Sequence, residues 1–295
     1  MAKKPVKYYV VDAFTDSAFK GNPAAVCLLE QDRDDEWLQS LAAEFNISET
    51  CFLTPIHGTY VPRFGLRWFT PTTEVELCGH ATLAASHTLF SSGLVDNNVI
   101  EFETLSGILT VKKIPSTDAT GIPNSQNGEA PVGFYIELDF PADPTTESIS
   151  DDTSLISSAL NGASIIDIKK TQNGDNLIVV VASGKNVIEV QPQLDVIVKC
   201  PGMGIILTGI APPESGIDFY SRYFSPKCGI NEDPVTGSAH CGLVPYWSKK
   251  LGKFDLRAYQ ASARGGILDL HFDEQKQRVF LRGKAVTVME GFVLV

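Results

Sequence analysis

Arg67 to Phe90, RWFTPTTEVELCGHATLAASHTLF, and Arg222 to Leu243, RYFSPKCGINEDPVTGSAHCGL, are two copies of one plan. In each, an Arg-aromatic-Phe-Thr/Ser-Pro segment ends a strand, a turn follows, and a Gly-x-Ala step opens an apolar run. Arg67-Trp68-Phe69-Thr70-Pro71 leads to Gly79-His80-Ala81, and Arg222-Tyr223-Phe224-Ser225-Pro226 leads to Gly237-Ser238-Ala239. Two copies about half the chain apart predict a duplication with a pseudo-symmetric pair of lobes, not a solenoid.

Periodicity fills in the rest. Lys7 to Phe14 and Ala24 to Leu29 read as strands around the Lys20-Gly21-Asn22-Pro23 loop. Acidic residues then precede Trp37, Leu38, Leu41, Ala42 and Phe45 at helical spacing, which predicts an amphipathic helix over Asp35 to Phe45 with Asn46 as its C-terminal cap. Ser48 to Thr54 reads as a strand that Pro55 closes. The helix opening at Gly79 is apolar nearly all round, the signature of burial on every side, and Gly93 ends it. Later strands are expected at Val99 to Glu103, Gly107 to Lys113, Gly133 to Phe140, Ile165 to Lys169, Leu177 to Ala182, Gly204 to Thr208, Arg264 to Phe272, Arg278 to Arg282 and Ala285 to Val295. Asn173-Gly174 signals a hairpin between two of them. Short helical patterns cover Thr153 to Leu160 and Ser238 to Leu251, the second with Pro245 placed to bend it. The class is α+β: two lobes, 1–118 and 130–284, each a curved, mostly antiparallel sheet or barrel around a central helix. Residues 119–129, poor in apolar side chains, are the linker. The final strand, 285–295, is a candidate to return to the first lobe.

Composition narrows the function. A net charge of −11 over 295 residues argues against nucleic acid or anionic membrane as a general partner. No stretch approaches the roughly 18 to 20 apolar residues of a membrane span, and the N-terminus has no apolar signal core. The six cysteines, at 27, 51, 78, 200, 228 and 241, show no Cys-x-x-Cys spacing. That argues against a zinc site or a disulfide framework and fits a cytoplasmic protein. Nucleotide-binding glycine motifs and a Gly-x-Ser-x-Gly elbow are also missing.

The chemistry gathers at the two helix openings. A helix N-terminus presents unpaired N–H groups and partial positive charge, and glycine there lets a carboxylate approach the backbone, so Gly79-His80 and Gly237-Ser238 are expected to converge on one cleft. Two glycines serving close helix-to-sheet packing would look the same. His80 is either a hydrogen-bonded core residue or a functional group beside that anion site. Glu49 is either a solvent-facing strand residue or, if buried, a general acid/base. Asp233 would otherwise pass for a turn or cap residue, and Glu74 and Glu76 for surface charges of a loop. His57 and His240 read as structural and His271 as exposed on a strand, while His87, seven residues after His80, makes a weak case for a metal.

The blocks DAFTDSAFKGNPAAV, NISET, FTPTTEVELCGHATLAA and EDPVTGSAHCGL resemble, in order, those of the PhzF phenazine-biosynthesis family, over nearly the whole chain. The resemblance implies the diaminopimelate epimerase-like fold, commonly as a homodimer, and an isomerase without metal or organic cofactor. It is similar to enzymes that isomerise trans-2,3-dihydro-3-hydroxyanthranilate, a small carboxylate, by moving a proton between ring carbons. It places Glu49 as the general acid/base, and His80 and Asp233 as flanking catalytic groups that position substrate and shuttle protons. Ser48, Gly79, Gly237 and Ser238 match the substrate-binding groups. Two alternatives stand beside this. A two-thiol racemase or epimerase would use Cys78, but the matching position is Thr236, whose hydroxyl is too weakly acidic to replace a thiolate. A catalytically idle scaffold or protein-binding member would keep the fold alone.

Overall fold

A computed structural model describes residues 5–115, 133–147 and 153–294 of the chain. The expected linker, 119–129, lies outside them. The described residues fall into two compact units: one comprises those in Met1–Ala18, Pro23–Asp139 and Arg282–Val295, the other Phe19–Asn22 and Phe140–Leu281.

The first unit contains β1 (Val6–Ala13), β2 (Asn22–Leu28, entering from the other unit at its first residue), α1 (Asp35–Phe45), β3 (Glu49–Ile56), β4 (Arg63–Phe69), β5 (Glu74–Val75), α2 (Gly79–Ser91), β6 (Val99–Thr104), β7 (Gly107–Pro115) and most of β8 (Phe134–Pro141). β1 pairs with β2, which runs parallel to β3. β3 is antiparallel to β4, β4 is antiparallel to β5 and parallel to β6, and β6–β7 and β7–β8 are antiparallel. Because β8 pairs with β7, this unit runs on through Asp139, past the expected end at 118.

The second unit contains β9 (Thr145–Glu147), α3 (Thr153–Ala159), β10 (Ile165–Thr171), β11 (Leu177–Val181), α4 (Gly184–Glu189), α5 (Leu194–Ile197), β12 (Ile205–Ile210), β13 (Phe219–Ser225), β14 (Ile230–Asp233), α6 (Gly237–Leu251), β15 (Asp255–Gln260), β16 (Gly266–Asp273) and most of β17 (Arg278–Gly283). Its pairing repeats the first unit's step by step. β11–β12 is parallel, β12–β13 and β13–β14 antiparallel, β13–β15 parallel and β15–β16 antiparallel. The last strand, β18 (Ala285–Val293), belongs to the first unit, antiparallel to β1 from Val6 opposite Val293 to Ala13 opposite Ala285.

Local chemistry explains most boundaries. α1 begins where the Asp34 carboxylate accepts from the Trp37 N–H, and it stops at Asn46, which takes the left-handed conformation (φ 49°) that asparagine tolerates. Pro55 does not close β3, which continues to Ile56 with Pro55 opposite Phe64. β2 has run out by then, its last residue Leu28 facing Leu53, and proline is tolerated where a strand is paired on one side. α2 is buried from Gly79 through Phe90 except at His87, and it packs on β1, β3 and β18. Pro245 sits inside α6. It cannot donate to the Cys241 carbonyl four residues back, and the Asp143 N–H takes that acceptor instead, at 3.0 Å. The helix therefore continues without a buried unmade bond. The short helices α4 and α5 were not anticipated from the sequence. They lie on the second unit's own core, with Val187 and Ile197 packed among Leu177, Val179, Ile205, Leu207 and Phe224.

His240 on α6 has no exposed surface, and burial pulls its pKa down from 6.5 to about 4 despite the backbone carbonyl of Thr236 beside Nδ1. In the unfolded chain it takes a proton near pH 6.5, which the folded chain does not bind until about pH 4. Stability is therefore fully present above 6.5 and is lost as pH falls toward 4. Urea unfolding should show His240 contributing about 2 kcal/mol of this loss by pH 5. His240→Gln should be less stable at pH 7.5 yet lose correspondingly less between pH 7.5 and 5. Equal losses in both proteins would refute the assignment.

Candidate active site

The Arg-aromatic-Phe element of each copy is a brace that sets where its helix begins. Arg and Phe two residues apart share one strand face, so Arg67 lies over Phe69 at 5.1 Å and Arg222 over Phe224 at 4.9 Å. Each guanidinium also grips a carboxylate bidentately. Arg67 Nε and Nη2 donate to Glu74 at 2.7 Å each, and Arg222 Nε and Nη2 donate to Glu232 at 2.7 and 3.0 Å. Glu74 is thus not a surface charge but the clasp that folds β5 back on β4, while Glu76 is exposed. Three residues after each clasp's neighbour, the chain reaches the helix N-cap, Cys78 in one unit and Thr236 in the other. Both are in extended conformation, and neither side chain caps its helix.

In the first unit, alternation along β3 turns Glu49 and Cys51 toward α2. The Cys51 thiol donates to the Ala81 carbonyl at 3.2 Å, and burial together with nearby Cys27 and Glu49 raises that thiol's pKa well above its ordinary value. Glu49 is 7% exposed and His80 3%, which removes the solvent-facing reading of Glu49. His80 Nε2 stands 2.9 Å from Glu49 Oε2. On the other side of the ring, Cys78 Sγ is 3.4 Å from Nδ1. The approach of Glu49 is a close contact rather than an aligned hydrogen bond, because Oε2 makes none among the described residues. These three donors lie within 4.8 Å of one another, a set that could interest a metal ion. The thiol, imidazole and carboxylate therefore form one compact, buried cluster. The imidazole contacts both neighbours, so a proton can be held in this cluster or passed between its members. Ser48, half-buried, immediately precedes Glu49, and Gly79, buried, precedes His80.

In the second unit Asp233 closes β14 and is 7% exposed. Asn22 Nδ2 donates to its Oδ1 at 2.8 Å, and Thr236 Oγ1 donates to its Oδ2 at 2.5 Å. Gln260 Nε2 donates to Thr236 Oγ1 at 3.0 Å and to the Asp233 carbonyl at 2.8 Å. Gly237 is buried at the start of α6 and Ser238, next to it, is exposed. Sequence reasoning overlooked Asn22 and Gln260, which no spacing connects to Asp233; only Asn22's place in a Gly-Asn-Pro loop hinted at a special role.

Laying one copy on the other shows what the duplication did not keep. Cys78 matches Thr236, His80 matches Ser238, and Asp233 matches Val75, which faces Trp68 as Asp233 faces Tyr223. Glu49 opens β3 opposite Ala24, and the residue that opens β12, opposite Leu177, is Ile205. The carboxylate and the thiol each occur in one copy only.

The PhzC-PhzF family model, described as phenazine biosynthesis-like protein, matches residues 11–291. This chain belongs to the phenazine biosynthesis-like PhzF family. It is 44% identical over 288 residues to an uncharacterised isomerase of Halalkalibacterium halodurans, covering 97% of each chain. A PhzF-family crystal structure from Enterococcus faecalis superposes with a TM-score of 0.82 at 35% identity, over 99% of this chain and 100% of that one. A hydroxyproline epimerase from Agrobacterium vitis shares the fold at a TM-score of 0.58 and 11% identity, over 100% and 94% of the two chains. The protein is an isomerase of this family with the α+β, diaminopimelate epimerase-like fold. Among the described residues, no helix is long and apolar enough to cross a membrane.

Proposed function

We propose that this PhzF-family isomerase moves a proton on a small carboxylate-bearing substrate resembling trans-2,3-dihydro-3-hydroxyanthranilate, with Glu49 as the single acid/base. The observation that carries the reading is the state of Glu49. It is a buried carboxylate whose Oε2 makes no aligned hydrogen bond among the described residues, 2.9 Å from an imidazole. A buried oxygen with an unused lone pair is a ready proton acceptor. His80 orients it and can share its proton. Ser48 and the backbone of Gly79, with Gly237 and Ser238, are assigned to the substrate's carboxylate and other polar atoms, and Asp233 to holding the substrate in register.

The Cys78–His80 contact also suits a thiol-based epimerase, and that second reading needs its own answer. Incubating the protein with trans-2,3-dihydro-3-hydroxyanthranilate in deuterated water and following the ring protons by NMR tests both. Rearrangement with solvent deuterium appearing at the receiving carbon, at rates within about tenfold of each other for wild type and Cys78→Ala, is expected; tenfold is about 1.4 kcal/mol of barrier. Loss of turnover in a folded Cys78→Ala protein would move the acid/base role to the thiol. No turnover by the wild type would detach the site from this substrate class.

A further inference from the structure

The three side chains around Asp233 are wired in one direction. The backbone N–H of Thr236 donates to Gln260 Oε1 at 2.8 Å, which fixes the amide so that Nε2 points at Thr236 Oγ1. An amide N–H only donates, so the threonine hydroxyl must accept there and spend its single proton on Asp233 Oδ2. On the other side, Asn22 Nδ2 is identified as the donor because it also reaches the Val235 carbonyl, at 2.9 Å, an atom that only accepts. Both oxygens of Asp233 therefore face donors, and neither is left to carry a proton toward these partners.

We propose that Asn22, Thr236 and Gln260 are positioning residues that lock Asp233 as a fixed, ionised hydrogen-bond acceptor, so that it receives a donor group of the substrate rather than delivering protons to it. This rests on the reading of Asp233 as a substrate-holding group, and it narrows that reading: the substrate carries an O–H, N–H or ammonium group for Asp233 besides its carboxylate. It also gives Thr236 a task. The residue that fails as a partner thiol to Cys78 is the one that aims the neighbouring carboxylate.

The test compares Thr236→Val, which keeps the shape and removes the hydroxyl, with Thr236→Ser, which restores it. Crystal structures of both are determined, and kcat and KM are measured with trans-2,3-dihydro-3-hydroxyanthranilate. The valine variant should show the Asp233 carboxylate rotated from its position, and kcat down roughly 10- to 100-fold, the worth of a hydrogen bond to a charged group. The serine variant should return both to near wild type. An Asp233 that stays in place in Thr236→Val overturns the proposal whatever the activity. If wild type does not turn over this substrate, the functional reading fails, and the crystal structures alone still decide the clamp. Should the valine variant not fold, Asn22→Ala, which removes the donor to Oδ1, puts the same question with the same outcomes.

Discussion

Glu49→Gln should fold normally and lose 10²- to 10⁴-fold in kcat, the range expected when a positioned acid/base is removed. The amide is isosteric with the carboxylate and can still meet His80 Nε2, so the thermal midpoint should stay within a few degrees of wild type. Deuterium incorporation should fall with turnover, because one group is proposed both to take the proton and to return it. A variant that rearranged substrate within tenfold of the wild-type rate would sink the proposed role of Glu49. Rearrangement lost while deuterium exchange persisted would instead split abstraction from delivery, making Glu49 only one of two proton-handling groups. The magnitude is a strong test because Glu49 has no understudy within the fold: the residue at its place in the second copy is Ile205, which cannot titrate.

The second large effect concerns stability. Arg222→Leu should destabilise the protein by about 3 kcal/mol, the cost of removing a nearly buried donor from Glu232 and from two backbone carbonyls at once, whereas Arg67→Leu should cost only about 1 kcal/mol. The two arginines occupy the same place in the duplicated motif, but their surroundings differ. The Arg222 side chain is 11% exposed, and besides Glu232 it donates to the Val190 and Val187 carbonyls at 2.7 and 3.4 Å, closing the C-terminal end of α4 where a cation is favoured. Arg67 is 34% exposed, and its further partner, Asp35, is 82% exposed. Chemical denaturation of the two variants side by side would settle the ranking. Equal losses would mean that the shared stack on Phe, rather than the burial of the pair, sets the energy.

How far the sequence reaches can be judged from such particulars. α1 was legible to its ends because its signals are local: Asp34 and Asn46 flank an apolar stripe, and each makes its own cap. The doubled helix openings were legible because a duplication is visible without knowing the fold. Pro55 misled because a proline's meaning depends on whether a neighbouring strand is still alongside, and that is a tertiary fact. Glu49 was ambiguous for a similar reason. Its alternation with Cys51 and Leu53 was in the sequence, but only the position of α2 says which side of β3 is covered. α4 and α5 escaped because four to six residues are too few to establish a helical period. Asn22 escaped for the opposite reason, since its partner Asp233 lies 211 residues away.

The pairing of β1 with β18 has a consequence for how the chain is made. The ribosome delivers β1 before the rest of the first unit and β18 only after the second unit. At roughly 5–20 residues per second, the first unit waits on the order of ten seconds or more with one side of β1 bare. An open strand edge is a template for pairing with another chain, and contacts this distant in sequence form slowly even after release. The second unit, whose described residues are all in hand save four that come early, can close while still being synthesised. Folding order should therefore run against chain order: the half translated first is the half completed last.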